Sequence, residues 1–494
     1  MAQASPSTPV TSPSLPPTMI RKPRTIILCF DGTSNQYGEE NTNVIKFHSL
    51  LKKDKVDEQI CYYQPGIGTY FQPGVVSPLL HWWATVWDEA VAWYLPEHVM
   101  DGYKFLMQNY NAGDKVCLFG FSRGAYTARA LAGMIHKVGL LSKDNEQQIP
   151  FAYNLYKSES ASDQPLARGF KLTFCREVPI EFMGVWDTVA SVGVIMTRTL
   201  PFVSTNTTIR TFRHALSLDE HRAKFRPSFY TRPFPIGSPQ TPSRTQTFAG
   251  KFKTGLAKLS PKARRKEELN SVVQSVLARE KQTGEQRSID EPFVTDVKEV
   301  WFVGCHSDVG GGAVPDTDQY ALADIPLRWM VKEVMQAQCG VLFEDAAFQR
   351  WNIPLSSLSN IFQPVGGPKQ RSINEYVALH HKGDGKSKAG SAEERANSET
   401  SESGREAIDV MQPINDPLKS QPLWWLLEII PTRYSYQSPE TNQWVSKLSF
   451  HLGRGRYVPP NPKFHDSVKL RIDQTEMDYT PRARYQAGTE TYVS

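Results

Sequence analysis

Short apolar runs alternate with amphipathic stretches through the first two-thirds of the chain, and each run stops at a polar or glycine-bearing turn. Thr25 to Phe30 (TIILCF) is continuously apolar and ends in Asp31-Gly32-Thr33, which predicts a buried strand followed by a turn. Val44 to Leu51 has helical spacing, and Gln59 to Gln64 is a second strand closed by Pro65-Gly66. Val99 to Tyr110 predicts a helix, Lys115 to Phe119 a strand, and Ser122 to Ile135 an alanine-rich helix. Pro179 to Trp186 and Val297 to Gly304 predict further strands, each running into polar residues. Strands that alternate with helices imply a mostly parallel sheet with helices on both faces, whose ligands bind at the strands' carboxyl ends.

Elsewhere the pattern breaks. Residues 1–20 are rich in Ser, Thr and Pro and predict a disordered tail without the apolar core of a secretory signal. We expect one domain over residues 21–494, interrupted by flexible insertions at about 235–291 and 382–405, which are rich in Pro, Ser, Lys, Arg and Glu. Pro78 to Leu95 carries His81, Asp88 and Glu89, and Pro422 to Ile430 is short, so no membrane-spanning helix is expected.

Composition adds exclusions. The net charge of +5 is modest, and much of the excess lies between Lys251 and Lys266 without zinc-finger spacing or stacking aromatics, so nucleic acid is not an expected partner. Cys29, Cys117 and Cys305 sit in apolar runs and read as core residues. The six scattered cysteines, with no close pair, suit a soluble, cytoplasmic or otherwise intracellular setting. No ligand spacing points to a metal, and no motif calls for a cofactor.

The chemistry concentrates at strand ends. Gly120-Phe121-Ser122-Arg123-Gly124 follows a predicted strand and precedes a predicted helix, the setting of a nucleophile elbow. Ser122 must then occupy a strained turn that closes only if Gly120 and Gly124 are small. A serine hydroxyl attacks only when a His takes its proton and a carboxylate orients that His. Asp187 ends one predicted strand, and His306, followed by Gly310-Gly311-Gly312, ends another. The order Ser122, Asp187, His306 is that of α/β-hydrolases. Asp308 is the alternative acid, and His214 and His465 are the alternative bases. The oxyanion hole falls to the amides of Arg123 and of Gly32 or Thr33, with Asp31 organising that loop. FDGT also resembles a phosphatase motif of the haloacid dehalogenases, but Cys29 stands where that chemistry needs an Asp nucleophile.

Together FDGTSN, GIGT, GDKVCLFGFSRGAYTARALAGMI, GVWDTVASVG, HALSLDEHR and WFVGCHSDVGGG resemble an α/β-hydrolase-like family that includes the phospholipase effectors of bacterial type VI secretion. The resemblance covers roughly Arg24 to Met330 and extends to LGRGRYVPPNPKFHDSVKLRI. It implies hydrolysis of lipid esters by Ser122, Asp187 and His306, and the long insertions suggest an intracellular fungal member. The expected partner is a lipid or other ester, with peripheral membrane contact in view and the oligomeric state open. His81 to Leu95 and Leu423 to Leu427 are candidate apolar lids beside the nucleophile. A small-ester hydrolase or thioesterase shares the same chemistry, and a non-catalytic binding module would keep the fold without needing the three triad residues.

Overall fold

The computed structural model describes residues 22–33, 35–66, 88–189, 200–230, 294–351, 353–354, 402–437 and 444–494. The tail at 1–20, the insertion at 235–291, most of that at 382–405 and residues 81–87 of the first Trp-rich segment lie outside these residues.

Eight strands of the described residues form one sheet: β1 (Thr25–Phe30), β2 (Gln59–Gln64), β3 (Lys115–Phe121), β4 (Ile180–Trp186), β5 (Ile209–Ser217), β6 (Asp296–Phe302), β7 (Lys463–His465) and β8 (Thr491–Val493). Their spatial order is β2-β1-β3-β4-β5-β6-β7-β8. Every pairing in it is parallel. The expected α/β architecture is therefore observed, with uniformly parallel rather than mostly parallel strands. The order reverses between β1 and β3, and at such a switch point the loops leaving two neighbouring strands diverge and open a crevice at their carboxyl ends.

β1 is buried at all six positions because helices cover both faces of the sheet. Ile26, Leu28 and Phe30 face α2 (Asp88–Asn109) and α3 (Ser122–Val138), through residues such as Leu106 and Leu131. Ile27 and Cys29 face the opposite side, where α1 (Asn43–Leu50) contributes Phe47 and a later helix, Asp324–Gln336, contributes Trp329. The Ala125, Ala128 and Ala132 side chains of α3 are fully buried, since small residues let the helix lie close to its neighbours.

The apolar pattern located β1 to β4 and β6 but not β5, β7 or β8. HALSLDEHR carries the end of β5, a central strand paired with both β4 and β6. Its Arg213 and His214 conceal it, because they are buried polar residues satisfied by partners distant in sequence. Arg213 bonds Asp296 at 2.6 Å and pairs with Glu333, and His214 meets Glu299 at 2.9 Å. β7 and β8 have three residues each, too few for any periodicity to register.

Candidate active site

Ser122 begins α3 directly after β3, with a φ of 57° that non-glycine residues rarely adopt. The neighbouring glycines make this turn sterically possible. A Cβ on Gly124 would lie 2.3 Å from the carbonyl oxygens of both Phe30 and Asp31, and one on Gly120 would lie 2.7 Å from the Gly124 oxygen. The elbow can therefore sit against the end of β1 only with glycine at both positions. Its hydroxyl stands at the N-terminus of a 17-residue helix, whose partial positive charge favours a nearby anion.

The structure brings Ser122, His306 and Asp187 together. His306 Nε2 lies 2.8 Å from Ser122 Oγ, and His306 Nδ1 lies 2.5 Å from Asp187 Oδ2. After α4 (Ile149–Lys157) and α5 (Gln164–Phe174), His306 begins α6 (His306–Gly310), the short helix that follows β6, while Asp187 follows β4 with a φ of 37°. The rings of Phe121 and Phe225 lie 4.6 and 4.8 Å from the imidazole and hold it between them. The glycines after His306 serve backbone packing. A Cβ on Gly310 would fall 1.9 Å from the Phe121 ring, so glycine there lets α6 press the imidazole against that ring.

Asp187 is fully buried but not isolated. Arg456 grips it with two parallel hydrogen bonds, Nη1 to Oδ1 at 2.6 Å and Nη2 to Oδ2 at 2.8 Å, and the Ser217 amide donates to Oδ1 at 3.0 Å. Burial alone would raise the Asp187 carboxyl, but the Arg456 charge and the His306 contact hold it well below the usual carboxylate range. Burial is also the largest influence on His306 and lowers its pKa, against the opposing pull of Asp187. The imidazole is thereby kept neutral, with a free acceptor nitrogen for the serine proton.

Asp308, the alternative acid, has a different task. Its Oδ2 accepts the Cys305 amide at 2.8 Å and its Oδ1 accepts Asn415 Nδ2 at 2.7 Å, so it caps its own helix and anchors a distant segment. Burial pushes its carboxyl up to about 7, against those hydrogen bonds. The alternative bases are committed elsewhere. His214 Nε2 accepts the Thr188 amide at 3.0 Å, which supports the turn that carries Asp187. His465 Nδ1 bonds Ser467 Oγ at 2.9 Å.

The loop after β1 gathers hydrogen bonds on Asp31. Asp31 is buried and accepts from Thr42 Oγ1 and Tyr63 Oη, each at 2.8 Å, and burial lifts its carboxyl to about 6 in spite of these donors. It also takes the Gly32 amide at 2.7 Å. Of the pair Gly32 and Thr33, Thr33 has the uncommitted group. Its Oγ1 is buried with no hydrogen-bond partner among the described residues.

Sequence reasoning missed three supporting residues. Arg456 lies in LGRGRYVPP, far from the triad in sequence, and only the family resemblance drew attention to that stretch. Glu220 accepts the His306 amide at 3.2 Å, and although burial would raise its carboxyl, Arg222 at 2.7 Å holds it down to about 2. Phe225 walls the imidazole and touches Trp424 at 5.6 Å, which joins the second Trp-rich segment to the site. Among the described residues, no three His, Cys, Asp or Glu side chains converge as a metal site would require.

An α/β fold with a Ser–His–Asp constellation at the carboxyl edge of its sheet is the frame on which many hydrolases are built. The chain belongs to the family described as "T6SS, Phospholipase effector Tle1-like, catalytic domain", which matches residues 24–333. A Saccharomyces cerevisiae relative, the uncharacterized protein YEL023C, is 29% identical over 541 residues, spanning 91% of this chain and 79% of that protein. Two solved structures are also similar, each at 16% identity. An uncharacterized protein from Pseudomonas aeruginosa aligns with a TM-score of 0.33 over 82% of this chain and 62% of its own. The Tle1 effector bound to the VgrG spike of the type 6 secretion system aligns with a TM-score of 0.28, over 60% of this chain and 53% of its own. The chain thus spans less than two-thirds of either solved relative.

Proposed function

We propose that the protein is a serine hydrolase that cleaves lipid or phospholipid esters through an acyl-enzyme on Ser122. The family match supports hydrolysis of a lipid ester. The observation that carries the serine mechanism is the continuous hydrogen-bonded line from Ser122 Oγ through His306 to Asp187. His306 Nε2 takes the serine proton as Oγ bonds to the ester carbonyl carbon. The carbonyl oxygen becomes an oxyanion at the N-terminus of α3, where the Arg123 and Thr33 amides are the proposed donors and the Thr33 hydroxyl is at hand. Collapse breaks the bond to the alcohol, which leaves with the proton that His306 returns. Water then repeats the sequence on the acyl-enzyme, releasing the acid and restoring Ser122.

Asp187 fixes the tautomer in which Nδ1 carries the proton and Nε2 accepts one, and it stabilises the imidazolium that forms. Arg456 keeps Asp187 ionised and orients it. Asp31, Gly120, Gly124 and Asp308 shape and fasten the surrounding turns. Phe225 and Trp424 place apolar surface beside the imidazole, which suits an acyl chain. The test is turnover on esters of graded acyl length and headgroup, with Ser122→Ala as control. Hydrolysis that rises with acyl length and disappears in the variant is expected, and equal turnover by both proteins would refute the mechanism.

A further inference from the structure

Apolar surface is unevenly distributed over this molecule. Of fifteen large hydrophobic side chains exposed among the described residues, eight fall between positions 423 and 452, so the exposure is a local feature rather than ordinary scatter. Residues 422–428 form two short helical turns, one at Pro422–Trp424 and one at Trp425–Glu428. Trp424 and Leu427 point inward and pack with Leu418 on Phe225. Leu423, Trp425, Leu426, Ile429 and Ile430 face outward, each between 37% and 55% exposed. Leu448, Phe450 and Leu452, between 52% and 66% exposed, belong to the strand end and turn that return alongside.

The two stretches are fastened into one face. Glu428 is fully buried and accepts from Ala223 N at 2.6 Å, His451 Nδ1 at 2.6 Å and Gly453 N at 3.0 Å, while its carbonyl takes the His451 and Leu452 amides at 3.2 Å. His221 adds a second tie, bonding Asp416 at 2.8 Å and the Gly453 carbonyl at 3.1 Å. The buried Glu428 carboxylate thus joins the two outward-facing apolar stretches to each other and, through Ala223, to the loop that carries Phe225.

Charge indicates what the face meets. Residues 417–437 and 444–458 contain one carboxylate, the buried Glu428, against Lys419, Arg433, Lys447 and Arg454 in addition to the buried Arg456. The described hydrogen bonds of Arg454 go to neutral oxygens of Ser449, Phe450 and His451. An aromatic and aliphatic patch, basic in sequence and with no exposed carboxylate among its described residues, complements the surface of an anionic bilayer. Attachment there would be peripheral, since no helix among the described residues is long and apolar enough to cross a membrane. The inner side of the patch reaches the site through Trp424, 5.6 Å from Phe225, which is 4.8 Å from His306.

We infer that the outward face of residues 422–430, with Leu448, Phe450 and Leu452, docks the protein on anionic phospholipid bilayers and so sets the triad beside its substrate. The second half of that statement rests on the hydrolase reading; the first half does not.

The experiment compares the full-length wild type, Ser122→Ala and the triple variant Trp425→Gln/Leu426→Gln/Ile429→Gln. A second triple variant, Ile429→Gln/Leu448→Gln/Phe450→Gln, leaves Leu423 to Leu427 intact and serves for the activity comparison. Each protein is sedimented with vesicles of phosphatidylcholine alone or of phosphatidylcholine with phosphatidylserine, and each is assayed on a soluble acetyl ester. Wild type and Ser122→Ala are expected to bind the phosphatidylserine vesicles alike, and either triple variant to bind roughly 100-fold more weakly, as losing three inserted apolar side chains implies. Soluble-ester turnover by the second triple variant should match the wild type, which also shows that it is folded. Triple-variant binding equal to wild type, or no vesicle binding by the wild type, would overturn the docking surface, the latter pointing to a protein partner. Equal affinity for the two vesicle types would overturn its anionic preference. Undiminished ester hydrolysis by Ser122→Ala would sink the catalytic reading alone and leave the binding comparison intact.

Discussion

The ends of β3, β4 and β6 and the segment after residue 402 contribute to the same site in different ways. The strand ends deliver the atoms proposed to react, Ser122 Oγ and His306 Nε2 at 2.8 Å, within short motifs whose backbone geometry dictates the residue types. The later segment delivers Arg456 to Asp187, Asn415 to Asp308 and Trp424 to Phe225. None of these touches the nucleophile. Position is thus set by local turns on the sheet, while charge and enclosure are set by a distant part of the chain folded back over it. On that division, removing the Ser122 hydroxyl should abolish chemistry and spare the fold, whereas damage to the later segment should cost more in stability.

Ser122→Ala is expected to have the largest effect, lowering kcat by about 10⁴-fold or more with an unchanged melting temperature. Asp187→Asn should cost on the order of 10⁴-fold in kcat, since it favours the wrong tautomer of His306, and it should also destabilise the fold by leaving Arg456 without its charge partner. Arg456→Met leaves Asp187 buried and uncompensated. It should cost about 3–5 kcal/mol in urea unfolding, a loss typical of breaking a buried ion pair from one side. An Arg456→Met protein as stable as wild type would erase the contrast between the two regions.

Gly124→Ala tests the strand-end half from the opposite direction. A methyl group 2.3 Å from two carbonyl oxygens forces the elbow away from β1, at a cost of about 1–3 kcal/mol and with a fall in kcat at nearly constant KM. The smallest effect concerns pH. The base works only when neutral, and burial lowers the pKa of His306, so the acid limb of kcat/KM should have its midpoint below the ordinary value of 6.5. The Asp187 carboxyl is depressed below its unfolded value of 3.8, so its stabilisation is complete above that pH and is lost only as pH falls through the lower folded value. Activity should therefore fade on acidification before the fold does, a sequence that pH titrations of turnover and of unfolding can check side by side.

How much of this was legible in the sequence follows the same division. GFSRG, GVWD and WFVGCH announce themselves because a continuous apolar strand ends in a residue that a strand does not need, and those three motifs supply Ser122, Asp187 and His306, the proposed triad, in chain order. The carboxylate ambiguity between Asp187 and Asp308 could not be settled by spacing, since both lie near a strand end and only coordinates separate a partner of His306 from a helix cap. β5 escaped notice because Arg213 and His214 interrupt its apolar run, their polar groups being met by Asp296, Glu333 and Glu299 from elsewhere in the chain. Arg456 escaped for a similar reason. An arginine in a glycine-rich stretch has no local feature to distinguish a buried clamp from a solvated surface residue.

Reaction of the intact protein with a fluorophosphonate, followed by mass spectrometry of the labelled peptide, tests the proposed chemistry most directly. The phosphonyl group is predicted on Ser122, stoichiometrically and lost in His306→Ala. A folded protein that stays unlabelled, or one that carries the label on another residue, would contradict the account.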